Sequence, residues 1–369
     1  YLLSLTSASD ADKHAGVIQN FGHSFIKTLK ISVSGVEIYD SGVYYAYRSY
    51  MMNELGISDV VKRGLYEANC YYVDDTDQNN YENEGFKNRA SRFADGANCE
   101  TMVKLNFDLG RQPNLLLNNS DVIFSIYRNS DEFLILAPPY KPDKEMMQNP
   151  HEFRIRVNDI RIYVKTVDVA QSLNNAISKH LEITPAKYPM RKIEIRSLFL
   201  PEGTSDLSHN VFTSVVPRRL IIGFVSTDAY TGNKALSPFK FEHANIRSIT
   251  IEANGYTFPG APYSFNFKNS KYVRAFVDMY TGLGMDDGDR TMSINMSKFL
   301  GGWCFFVIPM TSTLDDTPGF ELIRNGTTSV KVQFTEPIKA GGYEMIVLGE
   351  FDSILSINAN RVISSDGSI

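Results

Sequence analysis

FGHSFIKTLKISVSG (Phe21–Gly35) and FEHANIRSITIEANG (Phe241–Gly255) are two renderings of one stretch, and their reading decides the fold. They lie a constant 220 residues apart, with no gap. Phe21, His23, Ile26, Ile31 and Gly35 match Phe241, His243, Ile246, Ile251 and Gly255, and Lys27/Arg247, Thr28/Ser248 and Leu29/Ile249 are conservative pairs. Leu29, Ile31 and Val33 alternate with polar residues, as do Ile249 and Ile251. That is the period of a half-buried strand, and the closing Gly predicts a tight turn. Downstream, YRSYMMNELG and VRAFVDMYTGLG place Arg48 and Arg274 eight residues before Gly56 and Gly282. Each segment predicts a short amphipathic helix whose Gly takes the left-handed position just past its end. Strand, turn and helix recur in one order, which predicts a duplicated domain.

A chain of 369 residues has room for two domains of ordinary size. Aromatic residues make up 12%, with 20 Tyr and 23 Phe against a single Trp, an enrichment that favours β-structure. The net charge of −5 argues against a surface whose main task is to grip nucleic acid. Cys70, Cys99 and Cys304 are odd in number and widely spaced, which suits neither a disulfide framework nor a paired-Cys zinc site and points to a reducing compartment. Asn118-Asn119-Ser120, Asn295-Met296-Ser297 and Asn325-Gly326-Thr327 fit the glycosylation triplet, a pattern without meaning unless the chain is secreted. The longest apolar run, Trp303–Met310, contains a Pro and is far too short to span a bilayer. No signal peptide is visible.

Along the chain, Tyr1–Leu5 reads as a strand and Ser7–Gly16 as a polar loop. After the first repeated unit, Ser58–Ala68 reads as a second short helix with Val60, Val61 and Leu65 on one side, and Asp74–Gly96 as a long exposed polar loop. Strand patterns follow at Val103–Leu109, Val122–Ile126 and Phe133–Leu136, and at Phe153–Val167, where Asn158-Asp159 predicts a bulge or turn. Asp168–Glu182 changes period, Val169, Leu173 and Ile177 standing four apart; Asp168 with Gln171 makes a capping box and Thr184-Pro185 closes the segment. The domains expected are therefore residues 1–168 and 186–369, joined by a linker helix at 169–185. Later strands are expected at Lys192–Leu200, Arg219–Val225, Trp303–Ile308, Ser329–Phe334 and Tyr343–Ile354, with Ser329–Phe334 mirroring Val122–Ile126 at an offset near 208. Many short strands and few helices predict a β-sandwich in each half. The residues Ala186–Leu220, which contain a strand, precede the position equivalent to Tyr1. The first domain is thus expected to lack its opening strand, which would lie upstream in the natural protein.

No residue earns a catalytic, cofactor-binding or metal-ligating assignment. His14, His23, His151, His180, His209 and His243 are scattered, and none pairs with another at metal-ligand spacing. His23 and His243 recur at equivalent places, as a duplicated structural role requires. No Gly-x-Ser-x-Gly elbow exists, and the cysteines sit in no nucleophile context. Gly282–Gly288 imitates a dinucleotide loop but has one residue too many and follows a helix rather than a strand. Asp75, Asp77 and Asn79 imitate the start of a calcium loop, yet Asn80 stands where Gly is needed and Phe86 where the closing Glu is needed. A solvated acidic loop is the better reading there, and equally for Asp286, Asp287 and Asp289. Arg191-Lys192 and Arg218-Arg219, at strand starts, suit a solvated edge or a subunit contact better than a nucleic-acid footprint.

KYPMRKIEIRSLFLPEG (Lys187–Gly203), PRRLIIGFVSTDAYTGN (Pro217–Asn233), Phe239–Pro259, YVRAFVDMYTGLG (Tyr272–Gly284), GFELIRNGTTSVKVQF (Gly319–Phe334) and VLGEFDSILSINANR (Val347–Arg361) form an ordered set. With LKISVSGVEIYDSGVYYAYRSYMMNELG (Leu29–Gly56) in the first half, the set resembles the double jelly-roll major capsid proteins of Polinton/Maverick elements and the related adintoviruses. The resemblance runs from Phe21 through nearly the whole chain. It implies an all-β fold of two tandem jelly-roll β-sandwiches, a double jelly roll, with a few short helices. It also implies homotrimers of pseudo-hexagonal outline that tile an icosahedral shell around a DNA genome. Partners would be neighbouring capsomers, a separate penton (vertex) protein and minor capsid proteins, in a virion assembled inside the host cell. The family offers no catalytic residues to carry over. The chain departs from the pattern in its missing start and in lacking the very long tower loops of adenovirus hexons, which implies a low-profile capsomer.

The function expected is that of a structural major capsid protein and not an enzyme, with no cofactor, no membrane span and no sequence-specific binding of nucleic acid. The rival class is a tandem β-sandwich binding module, lectin-like, which would recognise a glycan or receptor as a small soluble species. A β-sandwich glycoside hydrolase would need two carboxylates flanking a cleft, and the sequence offers no way to pick such a pair. A vertex protein would carry one jelly roll per chain, against which the duplication speaks.

Overall fold

The computed structural model describes residues 2–9, 15–137, 153–286, 290–311 and 324–365. His14, His151, Asp287, Asp289 and the loop between Pro138 and Pro150 lie outside the described residues. The first half carries strands β1 (Leu2–Ser9), β2 (Gly16–Val17), β3 (Ile26–Val33), β4 (Val36–Asp40), β5 (Cys99–Lys104), β6 (Val122–Arg128), β7 (Ile135–Leu136) and β8 (Ile155–Tyr163). Its helices are α1 (Phe21–Ser24), α2 (Tyr45–Gly56), α3 (Asp59–Lys62), α4 (Glu84–Ser91) and α5 (Asp131–Leu134). Helix α6 (Gln171–Ile183) connects the halves. The second half carries β9 (Ala186–Leu200), β10 (Asp206–Phe212), β11 (Arg219–Ser226), β12 (Ile246–Ala253), β13 (Tyr256–Phe258), β14 (Phe306–Pro309), β15 (Thr328–Phe334), β16 (Tyr343–Ile357) and β17 (Ile363–Ser365). Helices α7 (Thr227–Thr231), α8 (Val273–Thr281) and α9 (Met296–Gly301) complete it.

The repeated stretch folds into the same hairpin twice. Strands β3 and β12 alternate buried and exposed positions in an identical sequence over their eight residues. Each ends in a two-residue turn with both φ positive: Ser34 at 48° and Gly35 at 79°, Asn254 at 51° and Gly255 at 79°. Such a turn matches the twist of a hairpin, and no neighbouring atom crowds either Gly, so conformation and not space selects the residue. Each long strand also bulges at one place against its other neighbour, between Ile26 and Thr28 and between Ile246 and Ser248. The register pairs Val33 with Val122 and Ala253 with Thr328, so the third strands of the two units lie 206 residues apart, not near 208. A slip of two residues keeps every side chain on its face, which is why alternation alone could not settle the offset.

Two sheets of the second half run β10-β15-β12-β13 and β14-β11-β16, with β9 along one edge of β16 and β17 on the other, past the end of β11 at Leu355–Ile357. Strands β9 and β16 pair over all fifteen residues, from Ala186 opposite Ile357 to Leu200 opposite Tyr343. This is the two-sheet arrangement of a jelly roll. In the first half the corresponding sheets run β6-β3-β4 and β5-β1-β8. Among the described residues, neither β9 nor β10 has a counterpart there, and β8 and β6 each keep one unpaired edge. Opposite Thr6 and Ser7, β8 skips a residue at Asn158, the expected bulge.

One apolar core runs through both halves. Tyr47 and Tyr50 of α2 pack against Phe239 and Phe241 of the second half, and Phe241 crosses β11 at Gly223, where a side-chain carbon would collide with its ring. Burying a side chain of this size contributes about 1.5–3 kcal/mol. Helix α2 is therefore buried on nearly every side rather than amphipathic, while α8, at the equivalent place, buries Ala275 and Met279 and exposes Val273 and Val277. Neither expected glycine is left-handed: Gly56 ends α2 from within, Gly282 has φ −66°, and Gly284 takes the positive φ instead, at 65°. The capping box before α6 is not made; Ala170 is its N-cap.

The stretch expected as an exposed loop, Asp74–Gly96, is instead folded in. It contains α4, whose Phe86 and Ala90 are buried, and Arg89 is buried in an ion pair with Asp74. Arg89 also donates to the carbonyls of Val17 and Tyr72, so one guanidinium satisfies three oxygen-bearing groups. Asp74, Gln78, Asn83 and Arg89 are the polar residues turned inward, while Asp75, Asn80, Glu82, Glu84, Lys87 and Asn88 remain exposed. Ser58–Ala68 divides into α3 and a 3-10 turn, Leu65–Asn69, and Val60, Val61 and Leu65 face outward.

Candidate functional surface

The seam between the halves is built from polar as well as apolar contacts. Arg48 on α2 reaches Asp108 at 2.5 Å, both nearly fully buried. Together they hold the outward backbone groups of Ile193 on β9: Asp108 accepts from the Ile193 N–H at 3.3 Å and Arg48 donates to its carbonyl at 3.4 Å. That ion pair closes the free edge of β9, the place where a strand would otherwise offer unpaired groups. A second buried pair, Lys62 with Glu54 at 3.0 Å, donates also to the Met292 carbonyl across the seam, and Tyr71 donates to the other Glu54 oxygen. Gln78 donates to Tyr50 and to the Gly302 carbonyl.

The residues singled out from sequence do not converge on a chemical site. His23 is wholly buried 3.2 Å from the Tyr45 hydroxyl, and burial lowers its pKa from 6.5 to about 3, so the ring is neutral. His243 accepts from the Asn245 N–H and stacks on Phe267; burial lowers its pKa too. Equivalent position has thus not meant equivalent partners. Asp77 is met by Lys240 at 2.6 Å and Asp75 by Lys298 at 3.8 Å, amines standing where a cation would sit. Among the described residues no three His, Cys, Asp or Glu side chains gather where a metal ion could bind. Asn295 accepts from the Lys298 N–H as the cap of α9, and Asn118 joins Asn174 and Arg361.

Arg218 is buried, and Arg191 and Arg219 are mostly covered. Arg191 and Arg218 meet at Asp352, and Arg219 reaches Glu350 at 2.5 Å, all on one face of the β9-β16-β11 sheet. The signal was in VLGEFDSILS, where two acids interrupt an apolar strand. Asp108 gave no such signal, since its partner lies sixty positions away in the helix.

Among the described residues the longest exposed run carrying apolar side chains begins on β8 and continues along α6. From Asn158 to His180 side chain after side chain is exposed, Tyr163, Val164, Val167, Val169 and Leu173 among them, and Ile183 follows at 82%. A lone monomer rarely leaves such a run open to water. Among the described residues no helix is long and apolar enough to cross a membrane.

The same architecture is found in solved structures. The PBCV-1 virus capsid aligns with a TM-score of 0.56 at 10% identity, over 100% of this chain and 89% of that one. The Sputnik virophage gives 0.58 at 12%, over 99% and 80%, and the mavirus major capsid protein 0.51 at 13%, over 99% and 83%. The chain is a double jelly-roll protein, all-β with short helices. No family profile matches it. The protein F54H12.2 of Caenorhabditis elegans, described as uncharacterized, is 30% identical over 351 residues, which is 93% of this chain and 80% of that protein. The chain belongs to the family of that nematode protein.

Proposed function

We propose that this protein is a structural major capsid protein, working as a homotrimer of pseudo-hexagonal outline within an icosahedral shell around a DNA genome. The observation that carries the reading is the unequal burial of two equivalent helices. Aligned on their arginines, Tyr47 and Met51 of α2 correspond to Val273 and Val277 of α8. Tyr47 packs on the second half of its own chain, whereas Val273 and Val277 are 46% and 49% exposed. One contact is satisfied within the chain, and its pseudo-symmetric twin awaits a second copy. Head-to-tail contacts of this kind close into rings when the rotation permits, and three chains of two rolls give six around an axis.

In this reading the rolls are residues 1–168 and 186–369 with the linker helix at 169–185, and the protein has no catalytic task. Its partners are neighbouring capsomers, a penton protein and minor capsid proteins, and its place is the virion. The virus-like fold together with a relative encoded by an animal supports a Polinton/Maverick element or adintovirus as the source. Light scattering and negative-stain imaging of the purified chain test the proposal. A trimer of about 125 kDa, three times the chain mass of 41.5 kDa, with a hexagonal outline is expected. Monomer alone at micromolar concentration, with no trimer on crosslinking, would overturn it in favour of a glycan- or receptor-binding module.

A further inference from the structure

Cys70 and Cys99 stand 29 positions apart in sequence, yet their sulfurs are 3.5 Å apart. Both side chains are buried. Cys70 closes the 3-10 turn Leu65–Asn69 in the left-handed conformation, φ 54°, and Cys99 opens the edge strand β5. The third cysteine, Cys304, is buried elsewhere in the core of the second half. A disulfide would bring the two sulfurs from 3.5 Å to a bonded length of about 2 Å. The half-exposed Arg92 binds the Tyr72 hydroxyl and the Glu100 carbonyl beside the pair. The thiol of Cys99 is lowered, first by the hydrogen bond from Cys70 and then by the charge of Arg92; the thiol of Cys70 is raised by the same bond and by burial. One sulfur is thus set up as a nucleophile and the other as a resolving thiol.

We propose that Cys70 and Cys99 are a reversible redox pair that closes to a disulfide when a low-molecular-weight disulfide such as oxidised glutathione reaches them. The Cys99 thiolate attacks one glutathione sulfur and expels the first glutathione thiolate. Cys70 then attacks the Cys99 sulfur of the mixed disulfide, gives up its proton and expels the second. Two protein thiols are oxidised and one glutathione disulfide is reduced to two thiols. The bond ties the 3-10 turn to β5. These are two walls of an apolar cleft of about 430 Å³, lined by Met52, Ile57, Leu65, Tyr66, Met102 and Leu105. Closure therefore stiffens that cleft. The inference stands apart from the capsid reading.

The full chain, equilibrated in glutathione buffers from reducing to oxidising, is alkylated under denaturing conditions and mapped by mass spectrometry. The expected result is paired loss of two thiols, a linked peptide containing Cys70 and Cys99, a Cys304 that alkylates throughout, and full reversal by reductant. The C70S variant should stop at a glutathione adduct on Cys99. Hydrogen exchange across Leu65–Cys70 should slow by about tenfold or more on oxidation, as expected for a segment whose local opening is restrained. Three free thiols at every glutathione ratio, or a bridge that involves Cys304, would overturn the redox pair. Unchanged exchange in the oxidised chain would overturn the stiffening.

Discussion

Tyr50 of the first roll lies flat on Phe239 of the second, ring centroids 4.2 Å apart and planes 3° from parallel. Tyr47 and Phe133 meet the same Phe239 edge-on, at 5.7 and 6.0 Å. One ring is therefore shared by three aromatic partners from the other roll. Phe239→Ala should cost about 3–5 kcal/mol, the range for removing a large aromatic from a core. Denaturant melts would show it, and a loss under about 1 kcal/mol would mean the seam does not hold the rolls together.

The buried pair Arg48–Asp108 makes a separate case. Removing one partner, as in Asp108→Ala, strands the other charge and should cost about 3–5 kcal/mol. The double change Arg48→Met with Asp108→Leu should recover much of that, since no charge remains buried. If the double variant is as weak as the single one, the hold on the Ile193 backbone matters more than the charge balance.

The paired turns give an internal control. Gly35→Ala and Gly255→Ala force a side chain into φ 79° at two places with equal surroundings, and each should lose about 1–2 kcal/mol. Their losses should agree within about 0.5 kcal/mol. A clear mismatch in thermal melts would show that the two hairpins, though alike in geometry, are differently supported.

Acid should weaken the fold through His23. Its folded pKa, about 3, lies below the ordinary 6.5, so the unfolded chain takes the proton first. The stability tied to the neutral ring is whole above about pH 6.5 and drains away as pH falls toward 3, at up to about 1.4 kcal/mol per unit. His23→Gln should flatten the slope of stability against pH in that window. An unchanged slope would locate the acid sensitivity elsewhere.

Assembly should fail at α8 without harm to the chain. Val277→Asp places a charge on an exposed face, so the monomer should melt within about 1 °C of the parent while trimer disappears from light scattering. Trimers that survive this change would remove α8 from the contact.

Much of this architecture was legible because the hairpin signals are local. Alternation at Leu29, Ile31 and Val33 and a Gly in a two-residue turn suffice to fix strand, face and bend. The helices were less legible. YRSYMMNELG looks amphipathic, but its polar Arg48 and Asn53 face buried partners supplied from distant sequence, and Glu54 is buried against Lys62 of the next helix. Asp74 and Arg89 were hidden for another reason: a polar stretch reads as solvated until the fold turns two of its own opposite charges inward on each other. The proximity of Cys70 and Cys99 was invisible for the related reason that loop and edge strand meet only in three dimensions.

The unbroken fifteen-residue ladder between β9 and β16 is clamped at Ile193 by Arg48 and Asp108 of the first roll, so both rolls meet on one strand. In the proposed assembly each molecule serves as a brick, not a hinge. A curved surface tiled with such bricks must take its curvature in the mortar, at the joints between copies, so the angle between neighbours and not the shape of the subunit would set the radius of whatever is built.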